Sequence, residues 1–153
     1  MDIELIFSIA STIALISWIM LFIFYDKTWI YPILLSGVLV FFAILYLYYI
    51  SVGFTGGAEG GFGSLKEVRL LFGSDHSLLA GWIHYLAFDL FVGMWMSQDA
   101  FKLKINRWIL LPCLFFTFMM GPVGLLIYLT IRAIRAGKFI QYPFAREPKK
   151  QLI

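Results

Sequence analysis

Charge is what this sequence has least of. Only 14% of its 153 residues are Asp, Glu, Lys or Arg, against 61% hydrophobic and 19% aromatic. A globular domain of this length needs roughly a quarter of its residues charged to solvate its surface. The shortage excludes an ordinary soluble domain and makes lipid the solvent for most of the surface, in keeping with a mean hydropathy of +0.88. One cysteine, Cys113, lies inside an apolar run, which excludes a disulfide framework and any two-cysteine redox or zinc motif. Two histidines cannot by themselves build a metal site, and no Gly-Lys phosphate loop or nucleophile elbow is present, so neither metal nor cofactor is expected. The formal net charge of +3 comes from residues that flank apolar runs instead of forming a face that could follow phosphates, which sets nucleic acid aside.

What is present is four apolar runs, at 3–24, 29–50, 77–98 and 107–132. Each is long enough to cross, since about 20 helical residues span a hydrocarbon core of roughly 30 Å. The fold class expected is an all-α integral membrane protein, a single-domain bundle of four transmembrane helices. The first run opens with Asp2 and Glu4 and is followed by no small-residue cleavage site, so it reads as a retained helix and not a signal peptide. Asp26 and Lys27 alone punctuate the first junction, which makes it a tight helical hairpin.

The 51–75 loop is rich in glycine, which disfavours helix in its first half. Its second half has a helix start at Ser64 with Glu67 three residues on, and a stop at Gly73. Leu65, Val68, Leu71 and Phe72 then share one face of a short amphipathic helix over about 65–72, a connector on the membrane surface or a lid.

Four spans would put both termini and the 51–75 loop on one side. That side holds Lys66, Arg69, Arg132, Arg135, Lys138, Arg146, Lys149 and Lys150, and the other Lys27, Lys102, Lys104 and Arg107. The excess of basic residues places both termini in the cytoplasm.

The third run reads GWIHYLAFDLFVGMW over residues 81–95, with His84 and Asp89 near its midpoint. Ionisable groups at that depth cost at least roughly 2.5–3.5 kcal/mol when charged and are expected to face protein or a wet cavity. About 100° per residue puts His84 and Asp89 about 140° apart, so they are not a same-face pair. Asp89 shares a stripe with Trp82, Tyr85, Gly93 and Met96, where Tyr85 stands one turn away and Gly93 lets another helix approach. With no Lys or Arg at its depth, Asp89 is expected as a neutral acid able to donate a proton, and His84 as a neutral base. Asp75 with Ser74 reads as a helix cap, and Asp99 as an ion pair with Lys102 or Arg107. In the fourth run Thr117, Gly121, Gly124 and Tyr128 recur on one face, and Pro122 frees the carbonyl of Phe118 and kinks the helix. Ser8 and Thr12, with Ser36 and Gly37, are expected at helix interfaces.

These two stretches, GWIHYLAFDLFVGMW and PCLFFTFMMGPVGLLIY, resemble the abscisic-acid-deficient-four-like family of small membrane proteins, with the GFGSL segment and the helix layout extending the likeness over nearly the whole chain. The matching positions are Trp82, His84, Asp89, Leu90 and Phe91, with Gly121 and Pro122. The resemblance implies a role in converting violaxanthin to neoxanthin, in which an epoxide at the end of a polyene opens to an allenic alcohol. Asp89 and His84 are then the candidate catalytic acid and base, and Trp82, Tyr85, Trp95, Thr117, Gly121 and Tyr128 the candidate substrate contacts. The absence of a Ser- and Arg-rich transit segment makes the chain look like a bacterial-type member, expected in a bacterial cytoplasmic membrane. The partner expected is a membrane lipid or a carotenoid-like apolar ligand, with assembly into a homo-oligomer left open. The alternative is a non-enzymatic carrier whose walls are Phe88, Phe91, Trp95, Phe115, Phe116 and Phe118. A proton or solute pathway is disfavoured, because only one acid lies at depth.

Overall fold

The computed structural model describes residues 2–56 and 59–136. They form six helices: α1 (Ile3–Phe24), α2 (Ile30–Thr55), α3 (Leu65–Leu71), α4 (Asp75–Lys102), α5 (Arg107–Met120) and α6 (Pro122–Ala136), with no strand among the described residues. Three of these, α1, α2 and α4, are long and apolar enough to cross a membrane. Within α2, residues Ile33–Leu39 form a π-helical turn that contains Ser36 and Gly37.

The expected fourth span is replaced by two helices. The chain turns at Gly121, whose φ of 33° and ψ of −88° end α5, and Pro122 starts α6. These helices double back on each other. A Cβ on Gly124 would collide with the backbone of Thr117 and Cys113, seven and eleven residues earlier, which only an antiparallel hairpin brings so near. Arg107, at the start of α5, donates to the carbonyl of Phe22 at the end of α1 (2.9 Å), and Arg132, late in α6, reaches Asp99 near the end of α4. Both open ends of the hairpin therefore lie at the same end of the bundle. At about 1.5 Å per residue α5 rises only about 21 Å, short of a core of roughly 30 Å. The α5–α6 unit is a helical hairpin closed at Gly121, too short by its α5 arm to span such a core.

This corrects the expected layout in two respects. The 107–132 run is not one helix, and Ala136 lies at the end of the bundle opposite to Ile3 and the 59–74 segment, so the described termini do not share a side. Lys138, Arg146, Lys149 and Lys150, which carried part of the orientation argument, lie outside the described residues.

α1 and α4 run parallel, with Ser11 beside Trp82 and Trp18 beside Gly93. A Cβ on Gly93 would stand 2.5 Å from the Trp18 ring, so glycine is what lets α1 approach here. The small residues that α1 buries are Ala10, Ala14 and Ser17, whereas Ser8, Thr12, Ser36 and Gly37 are exposed. α1 is offset in rotation from the expected interface because the face that packs is chosen by Trp18 and Leu21.

Two apolar clusters share α4. Phe42, Tyr49, Leu79, Ala80 and Ile83 join α2 to its first half. Trp18, Leu21, Leu90, Met94, Leu110 and Leu114 join α1 and α5 to its second half. The short α3 forms where expected: Ser64 Oγ accepts from the Glu67 amide (3.2 Å), while Glu67 Oε2 accepts from Gly63 N (3.0 Å). Of its apolar face Leu71 is buried, but Leu65 is 81% exposed. Ser74 sits at the N-cap of α4 without a side-chain bond to the helix.

Candidate functional site

The hairpin reaches only halfway along α4, and its tip meets Asp89. A Cβ on Gly121 would lie 2.5 and 2.8 Å from the two carboxyl oxygens of Asp89. Glycine is thus required twice at 121, by its positive φ and by the carboxyl against it. Asp89 Oδ2 is buried and has no hydrogen-bond partner, and no Lys or Arg pairs with this carboxyl among the described residues. A buried polar atom left unsatisfied costs about 1–3 kcal/mol, and Asp89 Oδ2 shares that condition with Tyr49 Oη and Ser77 Oγ, but it alone lies at the hairpin tip, which makes it the candidate contact for a polar group.

Tyr85 stands one turn before Asp89. Its hydroxyl donates to the carbonyls of Phe118 (3.3 Å) and Met119 (3.2 Å). Those acceptors are free for definite reasons: Pro122 has no N–H to give Phe118, and α5 ends before a partner for Met119 arrives. Irregular backbone at membrane depth persists only where protein or a wet cavity covers it, and Tyr85 supplies that cover. The first N–H groups of α6 point from the same tip.

Below the tip, where a fourth full-length helix would lie, the bundle is open. A groove of about 840 Å³ runs there between the start of α1 and the first half of α4. Its apolar walls include Phe7, Leu78, Leu79 and Trp82, Phe72 covers one side, and Tyr85 is at its inner end. Asp2, Glu4 and Asp75 line its mouth. The Trp82 indole packs between Phe7 and Tyr85 at 5.4 Å from each, its Nε1 donating to Ser11 Oγ (3.0 Å).

The structure thus brings Asp89, Tyr85, Trp82 and Gly121 together and leaves the other candidates elsewhere. His84 is exposed on the outer face of α4, stacked on Phe88 (4.4 Å) and near Tyr46 (5.7 Å). That corrects the expectation that it faces the interior, and it cannot act with Asp89 as acid and base on one small group. Thr117 is buried in the hairpin, donating to the carbonyl of Cys113 (2.8 Å) beside Met96 Sδ (3.5 Å). Trp95 packs edge-on against Tyr128 (5.8 Å), a turn or more beyond the tip.

Tyr128 belongs to a second polar cluster. Its hydroxyl donates to Asp99 Oδ2 (2.6 Å), and Arg132 grips the same carboxylate through Nε (2.7 Å) and Nη2 (3.2 Å). All three are buried. Asp99 is therefore not a surface partner of Lys102 or Arg107; Arg107 instead caps the carbonyls that end α1 and lies over the Tyr25 ring at 5.5 Å. The local signal for this arrangement is Gly121-Pro122, since glycine just after one helix and proline at the first position of the next is a stop followed by a start. The groove walls from α1 and the α3 end carry no local signal of that kind.

Neither a curated protein nor a solved structure matches the chain. The ABA DEFICIENT 4-like family profile matches residues 5–128, from the first turns of α1 through Tyr128 on the hairpin, and the chain belongs to that family.

Proposed function

We propose that this membrane protein acts on a long apolar polyene, and that it isomerises a terminal epoxide to an allenic alcohol, with Asp89 as the catalytic residue. The observation that carries the reading is the buried, unpartnered Asp89 Oδ2 at the hairpin tip, one turn beyond the inner end of an apolar groove. Family membership supports a carotenoid-related role.

The chemistry needs an acid at the epoxide oxygen, a base at the neighbouring polyene carbon, and little water. With His84 on the outer face, one carboxyl can do both. Protonated Asp89 gives its proton to the epoxide oxygen as the carbon–oxygen bond on the polyene side breaks. The adjacent C–H gives its proton to the resulting carboxylate, and its electron pair becomes the new double bond of the allene. The product is an isomer, no electrons are lost, and Asp89 ends as it began. Tyr85 is a positioning residue that holds the tip against Asp89, while Trp82 and Phe7 grip the chain.

The carrier reading fares less well. Phe88, Phe91 and Phe115, expected among its walls, are 58%, 50% and 51% exposed, and none of them lines the groove.

The test is conversion of an epoxy-carotenoid in lipid vesicles by the parent and Asp89→Asn, read by chromatography and absorption. The parent should yield an allenic isomer, and the variant should lose about a hundredfold or more in rate while retaining its helical circular dichroism. Equal rates would remove Asp89 as the acid, and ligand returned unchanged by the parent would leave a binder.

A further inference from the structure

The helical hairpin changes which charges share a face. At the end that carries the 25–29 turn, the 103–106 turn and the end of α6 lie Lys27, Lys102, Lys104, Arg107, Arg132 and Arg135, against Asp26 and Asp99. At the other end, with the start of α1, the 59–74 segment and the start of α4, lie Lys66 and Arg69, against Asp2, Glu4, Glu59, Glu67 and Asp75. Among the described residues, one end is strongly basic and the other acidic. Four full spans would have moved Arg132 and Arg135 to the acidic end and blurred the difference.

Basic residues near short loops are retained on the cytoplasmic side, where anionic headgroups also attract them. We infer that the end bearing Lys27, Lys104 and Arg135 is cytoplasmic, and that the start of α1 and the groove mouth face the translocated side. The groove then opens toward the translocated leaflet. Taken with the function proposed above, on which this last step rests, the polyene enters from that leaflet with its epoxide end foremost and travels along α4 toward Asp89. The acidic rim of Asp2, Glu4 and Asp75 stands on a face with little basic charge, where an anionic lipid headgroup is repelled and a neutral polyene end is not.

Sidedness can be read without any activity. In a Cys113→Ala background, single cysteines at Thr28, Phe62 and Ile134 occupy exposed positions on the 25–29 turn, the 59–64 segment and the end of α6. Each is treated with a membrane-impermeant maleimide in spheroplasts before and after permeabilisation. Phe62→Cys should label in intact spheroplasts, whereas Thr28→Cys and Ile134→Cys should label only after opening. The reverse pattern overturns the orientation. Labelling of Ile134→Cys together with Phe62→Cys overturns the hairpin itself, and labelling of every site before opening overturns a single orientation. Leu65→Cys and Trp29→Cys, also exposed, replace a variant that does not insert. These outcomes are independent of turnover, so a protein with this sidedness and no isomerase activity separates the topology from the function.

Discussion

The α6 end of the hairpin is held to α4 by a buried ion pair, so Arg132→Met should be among the most damaging substitutions in the chain. Asp99 and Arg132 are each 9% exposed, joined by two hydrogen bonds, with Tyr128 as the carboxylate's third partner. Removing the guanidinium leaves a desolvated carboxylate with one neutral donor, and breaking such a pair from one side costs about 3–5 kcal/mol. Replacing both charges is different: in Asp99→Asn with Arg132→Met the buried charge is gone, Tyr128 can still donate to the amide oxygen, and the net loss should fall to about 1–2 kcal/mol. The coupling between the sites is then about 2 kcal/mol or more, well above the few tenths that independent sites give. Unfolding in mixed micelles titrated with a denaturing detergent measures all four proteins of the cycle. Additive losses, or an Arg132→Met variant within about 0.5 kcal/mol of the parent, would refute the claim that this pair holds α6 against α4.

Three further substitutions test the tip. Gly121→Ala should cost about 1–3 kcal/mol from backbone strain alone, and because the new methyl meets the Asp89 carboxyl it should also abolish activity; a stable, active variant would sink the tip geometry. Tyr85→Phe leaves the Phe118 and Met119 carbonyls without their donor and should destabilise by about 1–3 kcal/mol, with a fall in turnover larger than any change in substrate affinity. His84→Ala should leave turnover within about threefold and stability within about 1 kcal/mol, since the imidazole stacks on Phe88 and lies near Tyr46 on the exposed face of α4; loss of activity there would return His84 to the mechanism.

Much of this was legible in the residues. Low charge with long apolar runs fixes a helical membrane protein, and the helical stripe Trp82–Tyr85–Asp89–Gly93 lies toward α1 and the hairpin tip, whereas the face that meets α2, with Leu79, Ala80 and Ile83, was not singled out. Pro122 correctly implied a free Phe118 carbonyl, though not that Tyr85 would take it. The hairpin was not legible by hydropathy, because a mostly apolar run of 26 residues has the same composition whether it crosses once or turns at its middle. Hydropathy measures affinity for lipid and is blind to direction. The Asp99–Arg132 pair was hidden for the same reason, since its partners are neighbours only after the chain reverses. The groove was hidden because it is made by what the hairpin fails to fill.

Asp89 and Asp99 lie on one helix ten residues apart and show how environment divides one residue type into two tasks. Both oxygens of Asp99 are bonded, by an arginine and a tyrosine, and a buried carboxylate held in an ion pair is committed to structure. Asp89 packs against a glycine whose missing side chain leaves room for its carboxyl, and its buried Oδ2 has no partner. The two are mechanically linked, because α6 begins at the Asp89 tip and is anchored about three turns later, through Arg132, at Asp99. Loosening the anchor should therefore let the tip drift from Asp89, and displacements of about 1 Å at a reacting group can cost about a hundredfold in rate. Conservative weakening by Tyr128→Phe removes one bond to Asp99 while leaving the ion pair, so it should lower turnover more than it lowers stability. A variant that loses stability with turnover intact would show instead that the anchor and the tip move independently.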